Sequence, residues 1–260
     1  MKKMPYRSAG IAVAILALGW AQAPAQEAVR TRVMVRVIAR DAKIIGSGVG
    51  GVLVRVSDAE TGAILAEGEQ AGSTGSTQLI MSSAHTREMS LYDTEGAAGY
   101  LAELVLTQPT VVNITALGPL GYSQAVRSAS KQILLVPGGH IEGDGVVLEL
   151  HGFIVEIMTP EPLTPVLSTV DIRARVRMMC GCPIEPGGLW NADDMTFIAR
   201  LKSDGRVVAA AELEYTGETS IFVGKLLVPA QRPEGDVTLE VIVADPTHRN
   251  FGRHELPLGI

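Results

Sequence analysis

The chain has 260 residues, 28 acidic and 22 basic, a formal net charge of −6, and 47% hydrophobic but only 4% aromatic residues. That length allows one large domain or two ordinary ones, and a charged fraction of 19% with a mean hydropathy of +0.24 excludes general disorder. The acidic balance lacks the basic footprint of a nucleic-acid binder, while 28 Gly and 14 Pro without a repeat predict many turns between short strands.

The N-terminus reads as a secretory signal peptide. Lys2, Lys3 and Arg7 precede an apolar run over residues 10–20, and small residues follow at Ala21, Ala23 and Ala25. Cleavage is expected after Ala25. The apolar run is shorter than the ~20 residues of a transmembrane helix, so no stable membrane span is expected after cleavage. The mature chain then carries 19 basic and 28 acidic residues, a net charge of −9. A periplasmic or secreted location follows as the expectation.

Val29, Thr31, Val33, Val35 and Val37 alternate with Arg30, Arg32, Met34 and Arg36, the pattern of a strand with one wet face. Residues 46–51 satisfy G-x-G-x-x-G, yet strand character resumes at Val52 where a dinucleotide site needs a helix, so they read as a turn. Residues 52–57 predict a strand, 58–62 a turn, and 63–67 a returning strand. Further strands are expected at 99–106, 110–117, 132–136 and 146–157. His140, Glu142 and Asp144 sit in a glycine-rich turn without the rhythm of a calcium loop, and read as a solvated hairpin. Residues 159–165 carry three prolines, an extended segment suited to a linker.

Alternation then begins again. Val170, Ile172, Ala174, Val176, Met178 and Cys180 share one face, and Asp171, Arg173, Arg175 and Arg177 the other. Strands are expected at 195–201, 206–215, 220–229 and 236–245, with the arginine stripe pairing across strands to Glu212 and Glu214. Short strands at regular spacing predict an all-β chain. Its layout is a signal peptide (1–25), a first antiparallel β-sandwich (29–158), a linker (159–166), and a second, immunoglobulin-like sandwich (167–260).

Residues 51–68, GVLVRVSDAETGAILAEG, resemble the strand–turn–strand of carboxypeptidase-regulatory-like, transthyretin-like sandwich modules. Residues 235–252 resemble the final strand of bacterial immunoglobulin-like modules. The resemblance covers less than half of the chain. It implies a sandwich fold and an adhesive or scaffolding class, not an activity.

Both cysteines lie in one unusual segment, Met178-Met179-Cys180-Gly181-Cys182-Pro183. On an extended strand their Cα atoms would stand ~6.5–7 Å apart, at the limit for a disulfide, so bridging requires the backbone to buckle at Gly181. In an oxidising compartment three outcomes are open: a Cys180–Cys182 disulfide, two thiols, or a soft metal. Copper is the metal of choice, with Met178 or Met179 adding a thioether and His248 or His254 as further donors. The plainer reading makes Met178 and Cys180 core residues.

No catalytic set or H-E-x-x-H spacing stands out, and no enzyme is expected. Leu189 and Trp190, after a Pro-Gly-Gly loop, are candidate apolar anchors for a protein partner, unless Trp190 plugs its own sandwich. The expected function is an exported, non-catalytic binding or accessory protein in a periplasmic or cell-surface complex. The alternative is a soft-metal (copper) or thiol–disulfide protein acting through Cys180 and Cys182.

Overall fold

A computed structural model describes residues 27–158, 169–229 and 235–258. The signal peptide and the proline-rich segment read from the sequence lie outside these residues. The described chain is an all-β sandwich structure in which helical segments span five residues at most, and none is long and apolar enough to cross a membrane.

The first half contains β1 (Val29–Ala39), β2 (Val52–Asp58), β3 (Ile64–Gln70), β4 (Tyr100–Leu106), β5 (Thr110–Gly118), β6 (Arg127–Leu135) and β7 (Ile141–Leu150). They form two sheets, ordered β4-β1-β7 and β3-β2-β5-β6. Strand β1 runs antiparallel to β4 and parallel to β7. The alternation in β1 places Val33, Val35 and Val37 in the core with Val52, Val54 and Val56 of β2 and Ile114 of β5. Between the sheets lies Gln70, also fully buried. Its Oε1 accepts from the Val37 amide (2.7 Å), and its Nε2 donates to the carbonyls of Val37 (2.9 Å) and Ile45 (2.8 Å).

The second half contains β8 (Phe153–Ile157), β9 (Thr169–Met178), β10 (Thr196–Ser203), β11 (Arg206–Glu212), β12 (Glu214–Tyr215), β13 (Ile221–Leu227), β14 (Val237–Asp245) and β15 (Asn250–Pro257). Its sheets are ordered β12-β13-β9-β8 and β11-β10-β14-β15, all pairs antiparallel. Phe197 of β10 stacks on Phe222 of β13 at 3.8 Å between ring centroids, joining the two layers.

Four details differ from the sequence expectations. The strand expected at 146–157 breaks at Gly152, and β7 and β8 join different sheets, ahead of the proline-rich segment. The strand expected at 206–215 breaks at Leu213, sending β11 and β12 to opposite sheets. The closing strand β15 was not anticipated. The arginine stripe pairs with Glu218 through Arg173 (2.5 Å) and with Glu156 through Arg177 (3.0 Å), not with Glu212 or Glu214. The reason is topological: β9 lies between β8 and β13, and β11 belongs to the facing sheet.

Arg36 also departs from the wet face expected of it, being 3% exposed. The chain between β3 and β4 folds over it. Its guanidinium donates to the carbonyls of Ala98 (2.9 Å), Ala97 (3.3 Å) and Gly143 (3.3 Å), and pairs with Asp93 (2.7 Å). Asp144 anchors the covering loop by accepting from the Ser90 hydroxyl (2.7 Å) and the amides of Leu91, Tyr92 and Asp93 (2.8 Å each). The segment expected to be a solvated hairpin turn is therefore a brace: His140 precedes β7, and Glu142 and Asp144 lie within that strand. His140 Nδ1 accepts from the Arg32 amide, and Glu142 pairs with Arg32 at 2.6 Å.

Two outcomes are expected. Gln70→Ala strips the Val37 amide and the Ile45 carbonyl of their partner, while the Val37 carbonyl keeps the Ile45 amide (3.0 Å), and should cost about 2 kcal/mol or more in urea unfolding, given ~1–3 kcal/mol per stranded group. At Asp144, burial opposes ionisation, but the amide and hydroxyl donors outweigh it and hold the carboxyl below its usual range. Stability from a depressed carboxyl is complete above the unfolded value of ~3.9 and lost as pH falls through the lower folded value. Asp144→Asn should thus weaken the acid dependence of unfolding below about pH 4, with hydrogen exchange at Leu91–Asp93 as the local readout.

Candidate functional site

The candidate site is the seam between the halves, built around the turn that ends β1. The Ala39 amide donates to Lys43 O (3.0 Å), the Ala42 amide donates to Ala39 O (3.1 Å), and Asp41 sits at φ 50°. Three segments of the second half close on this turn.

The first is the loop after β9. Trp190 is 6% exposed, and its indole Nε1 donates to the Asp41 carbonyl at 2.7 Å. Its ring is thus used inside the molecule, against the first half. Of the two anchor residues expected from the sequence, Leu189 alone is presented to solvent, at 51% exposure.

The second is the cysteine segment. Strand β9 ends at Met178, and the chain reverses: Gly181 N donates to Met178 O (2.8 Å) and Met178 N to Cys182 O (3.0 Å). Gly181 takes φ 83°, and a Cβ there would lie 2.8 Å from Val49 Cγ1, so the turn packs on the first half as only glycine can. The cysteines therefore flank a three-residue reversal instead of lying along a straight strand, and the buckling required at Gly181 is in place. Both stand as free, buried thiols. Burial alone would raise the Cys180 thiol. The Cys182 thiol, the amides of Lys43 and Cys182 and the Lys43 charge favour its thiolate and bring it down to about 7. Cys182, which donates to Cys180, is itself buried and faces the Cys180 thiolate, is pushed up, with the Lys43 charge opposing. Met178 and Met179 are fully buried; the Met179 sulfur lies 3.2 Å from where a Cβ on Gly152 would be.

The third is the β14–β15 connection. His248 Nδ1 lies 2.8 Å from Asp245 Oδ2 and 3.4 Å from Asp41 Oδ2, while the His248 carbonyl accepts from Arg40 Nε at 3.0 Å. Asp245 is 1% exposed and also accepts from the His248 amide (3.0 Å). Its hydrogen bond raises the His248 pKa against the opposing effect of burial, and the Asp41 charge adds to it. Asp41 is raised mainly by burial, with Asp245 adding repulsion and His248 opposing. The Asp245-x-x-His248 spacing was visible in the sequence; Asp41, about two hundred positions earlier, carried no signal linking it to them. His254 serves elsewhere, its Nδ1 accepting from the Ile157 amide at 3.2 Å, and burial lowers its pKa.

A further polar contact crosses the seam. Arg177 of β9 donates to the Tyr122 hydroxyl (2.7 Å) with its guanidinium 5.1 Å from that ring's centroid, and pairs with Glu156 of β8.

No family model and no curated protein matches the chain. Among solved structures, a DUF3823 family protein from Parabacteroides merdae ATCC 43184 aligns over 90% of this chain and 100% of its own. The identity is 10% and the TM-score 0.29, a similarity too loose to assign topology or function.

The thiol geometry yields a measurable outcome. Alkylation of the reduced native chain should modify Cys180 before Cys182, with a rate that rises through pH about 7. Mass spectrometry of digested samples over pH 5–9 checks it; equal labelling of both thiols would show that the pair does not share its proton as described.

Proposed function

We propose that the chain is an exported, non-catalytic accessory protein that presents a protein partner with two sandwiches locked into one body. The observation that supports this reading is the seam. Trp190 to Asp41, Arg40 to His248, Arg177 to Tyr122 and the buried Asn250 to Gly152 all join segments that belong to different halves or to the place where they meet. Polar side chains elsewhere that resemble site residues, Arg36, Gln70 and Asp144, are consumed in holding backbone. Apolar side chains meanwhile stand on outer surfaces: Val105 of β4 at 65% exposure, Leu101 on the same face of that strand at 42%, and Leu189. A fixed scaffold with apolar points on its surface suits binding more than turnover.

The test is photocrosslinking in the native compartment, with a photoreactive residue at Leu189, at Val105, or at Arg206 as an exposed polar control. The expected result is a discrete adduct of one partner from an apolar position and none from Arg206. Absence of any adduct, or the same mixture from all three positions, would overturn the reading.

A second reading is favoured by one observation, the paired thiols with the Cys180 thiolate stabilised. It makes the chain a thiol–disulfide or soft-metal (copper) protein. The intact mass of protein taken from the oxidising compartment decides it. A mass two hydrogens light, or one equivalent of Cu(I) lost on Cys180→Ser, would support this reading; two unreactive thiols without copper would remove it.

A further inference from the structure

We propose a second, harder metal site at the seam: Asp41, Asp245 and His248 together bind a divalent cation of zinc-like preference, bridging the two halves. This goes beyond the binding role above and does not depend on it. One ligand atom from each residue lies within 4.8 Å of the other two. Ligands held about 2.1 Å from a common zinc ion lie about 3.0 Å apart at right angles and about 3.4 Å apart in a tetrahedron. The observed separations from His248 Nδ1, 2.8 Å to Asp245 and 3.4 Å to Asp41, are of that size. The set is one imidazole and two carboxylates, which suits zinc and related borderline cations better than calcium or magnesium.

The charge balance around these three groups bears on the same point. Among the described residues, the Asp41 carboxylate, 31% exposed, has the 3.4 Å contact to His248 as its side-chain partner. Arg40 Nε donates to the His248 carbonyl and its Nη1 to Glu149; Trp190 Nε1 donates to the Asp41 backbone carbonyl. The His248 amide serves Asp245 Oδ1, and the single Nδ1 proton is 2.8 Å from Asp245 Oδ2. Asp41 is left with only a long share of that same proton, beside a second carboxylate that is 1% exposed. Two carboxylates facing each other across one N–H, one of them fully desolvated, form an arrangement that a divalent charge relieves. Metal at this point replaces the Nδ1 proton, so binding one ion releases one proton when His248 begins charged. The imidazole is 44% exposed, which leaves coordination positions open to water.

The test uses the untagged mature chain, stripped with chelator, carrying Cys180→Ser and Cys182→Ser so that the thiols cannot compete. Calorimetric titration with ZnCl2 should show one equivalent bound and a melting temperature that rises with zinc concentration. His248→Ala and Asp41→Asn should each weaken binding by at least roughly tenfold, and His151→Ala, a nearby exposed histidine, should leave it unchanged. No binding by the folded chain, binding that survives His248→Ala, or binding lost in His151→Ala would overturn the site. Should the double serine variant fail to fold, Co2+ titration of the unaltered chain replaces it. Uptake that depends on His248, without a thiolate-to-cobalt charge-transfer band, supports the site, and a thiolate band alone overturns it.

Discussion

The arrangement of the whole molecule depends on one asparagine. Asn250 is fully buried, its Oδ1 accepting from Gly152 N at 2.7 Å and its Nδ2 donating to Gly152 O at 3.1 Å. Gly152 stands between β7 and β8, where the chain leaves one pair of sheets and enters the other. Its φ of 136° is a backbone state that other residues avoid, and a side chain there would press on the Met179 sulfur. A break in a strand exposes an amide and a carbonyl that no sheet satisfies, and burying them unpaired would cost ~1–3 kcal/mol each. Asn250 supplies both partners from the first residue of the closing strand. The sheet change and the position of β15 are thus a single constraint.

From that corner outward, the halves are joined through polar groups spread among apolar ones. Val49 backs the cysteine turn, Trp190 covers the Asp41 turn, and Arg177 lies over Tyr122. A purely apolar seam would hold as well but would allow sliding. Directional bonds at several points fix one orientation, which is the property a presenting scaffold needs. The cost is visible in two places. Arg177 Nε is buried without a partner, and Asp41 shares a donor with Asp245. Both lie on the seam, where strain of this kind is expected if the joint serves a purpose beyond stability.

Period-two alternation made most strands legible. Strands β1, β2, β5, β10 and β14 lie close to where the valine, isoleucine and leucine spacing put them, because each buries one face. The same pattern could not show the breaks at Gly152 and Leu213. A strand that changes sheets keeps its inward residues inward, so the alternation runs on while the partners change. Arg36 misled for a related reason: the face opposite the core is wet only if nothing covers it, and the covering loop has no periodicity to read. Of the candidate site, the cysteine turn was partly legible, since Gly181 marked where an extended chain would bend. The His248 and Asp245 pairing lay in local spacing. Asp41 and Trp190 join them only through the tertiary fold.

The motif that suggested a known module has a local physical cause. Asp58 Oδ1 accepts from the amides of Glu60 (2.9 Å) and Thr61 (2.7 Å) and from the Thr61 hydroxyl (2.9 Å), and Gly62 follows at φ 75°. Those donors hold the Asp58 carboxyl below its usual range. Aspartate, threonine and glycine at these positions are what this reversal between β2 and β3 requires: an acceptor, a hydroxyl that folds back, and a residue free to turn left-handed. Any sandwich that joins two strands by this turn arrives at the same letters. The rhythm therefore reports a hairpin and, with the alternation around it, a sandwich. The chemistry that distinguishes this chain lies at the seam, where the residues that meet are far apart in sequence.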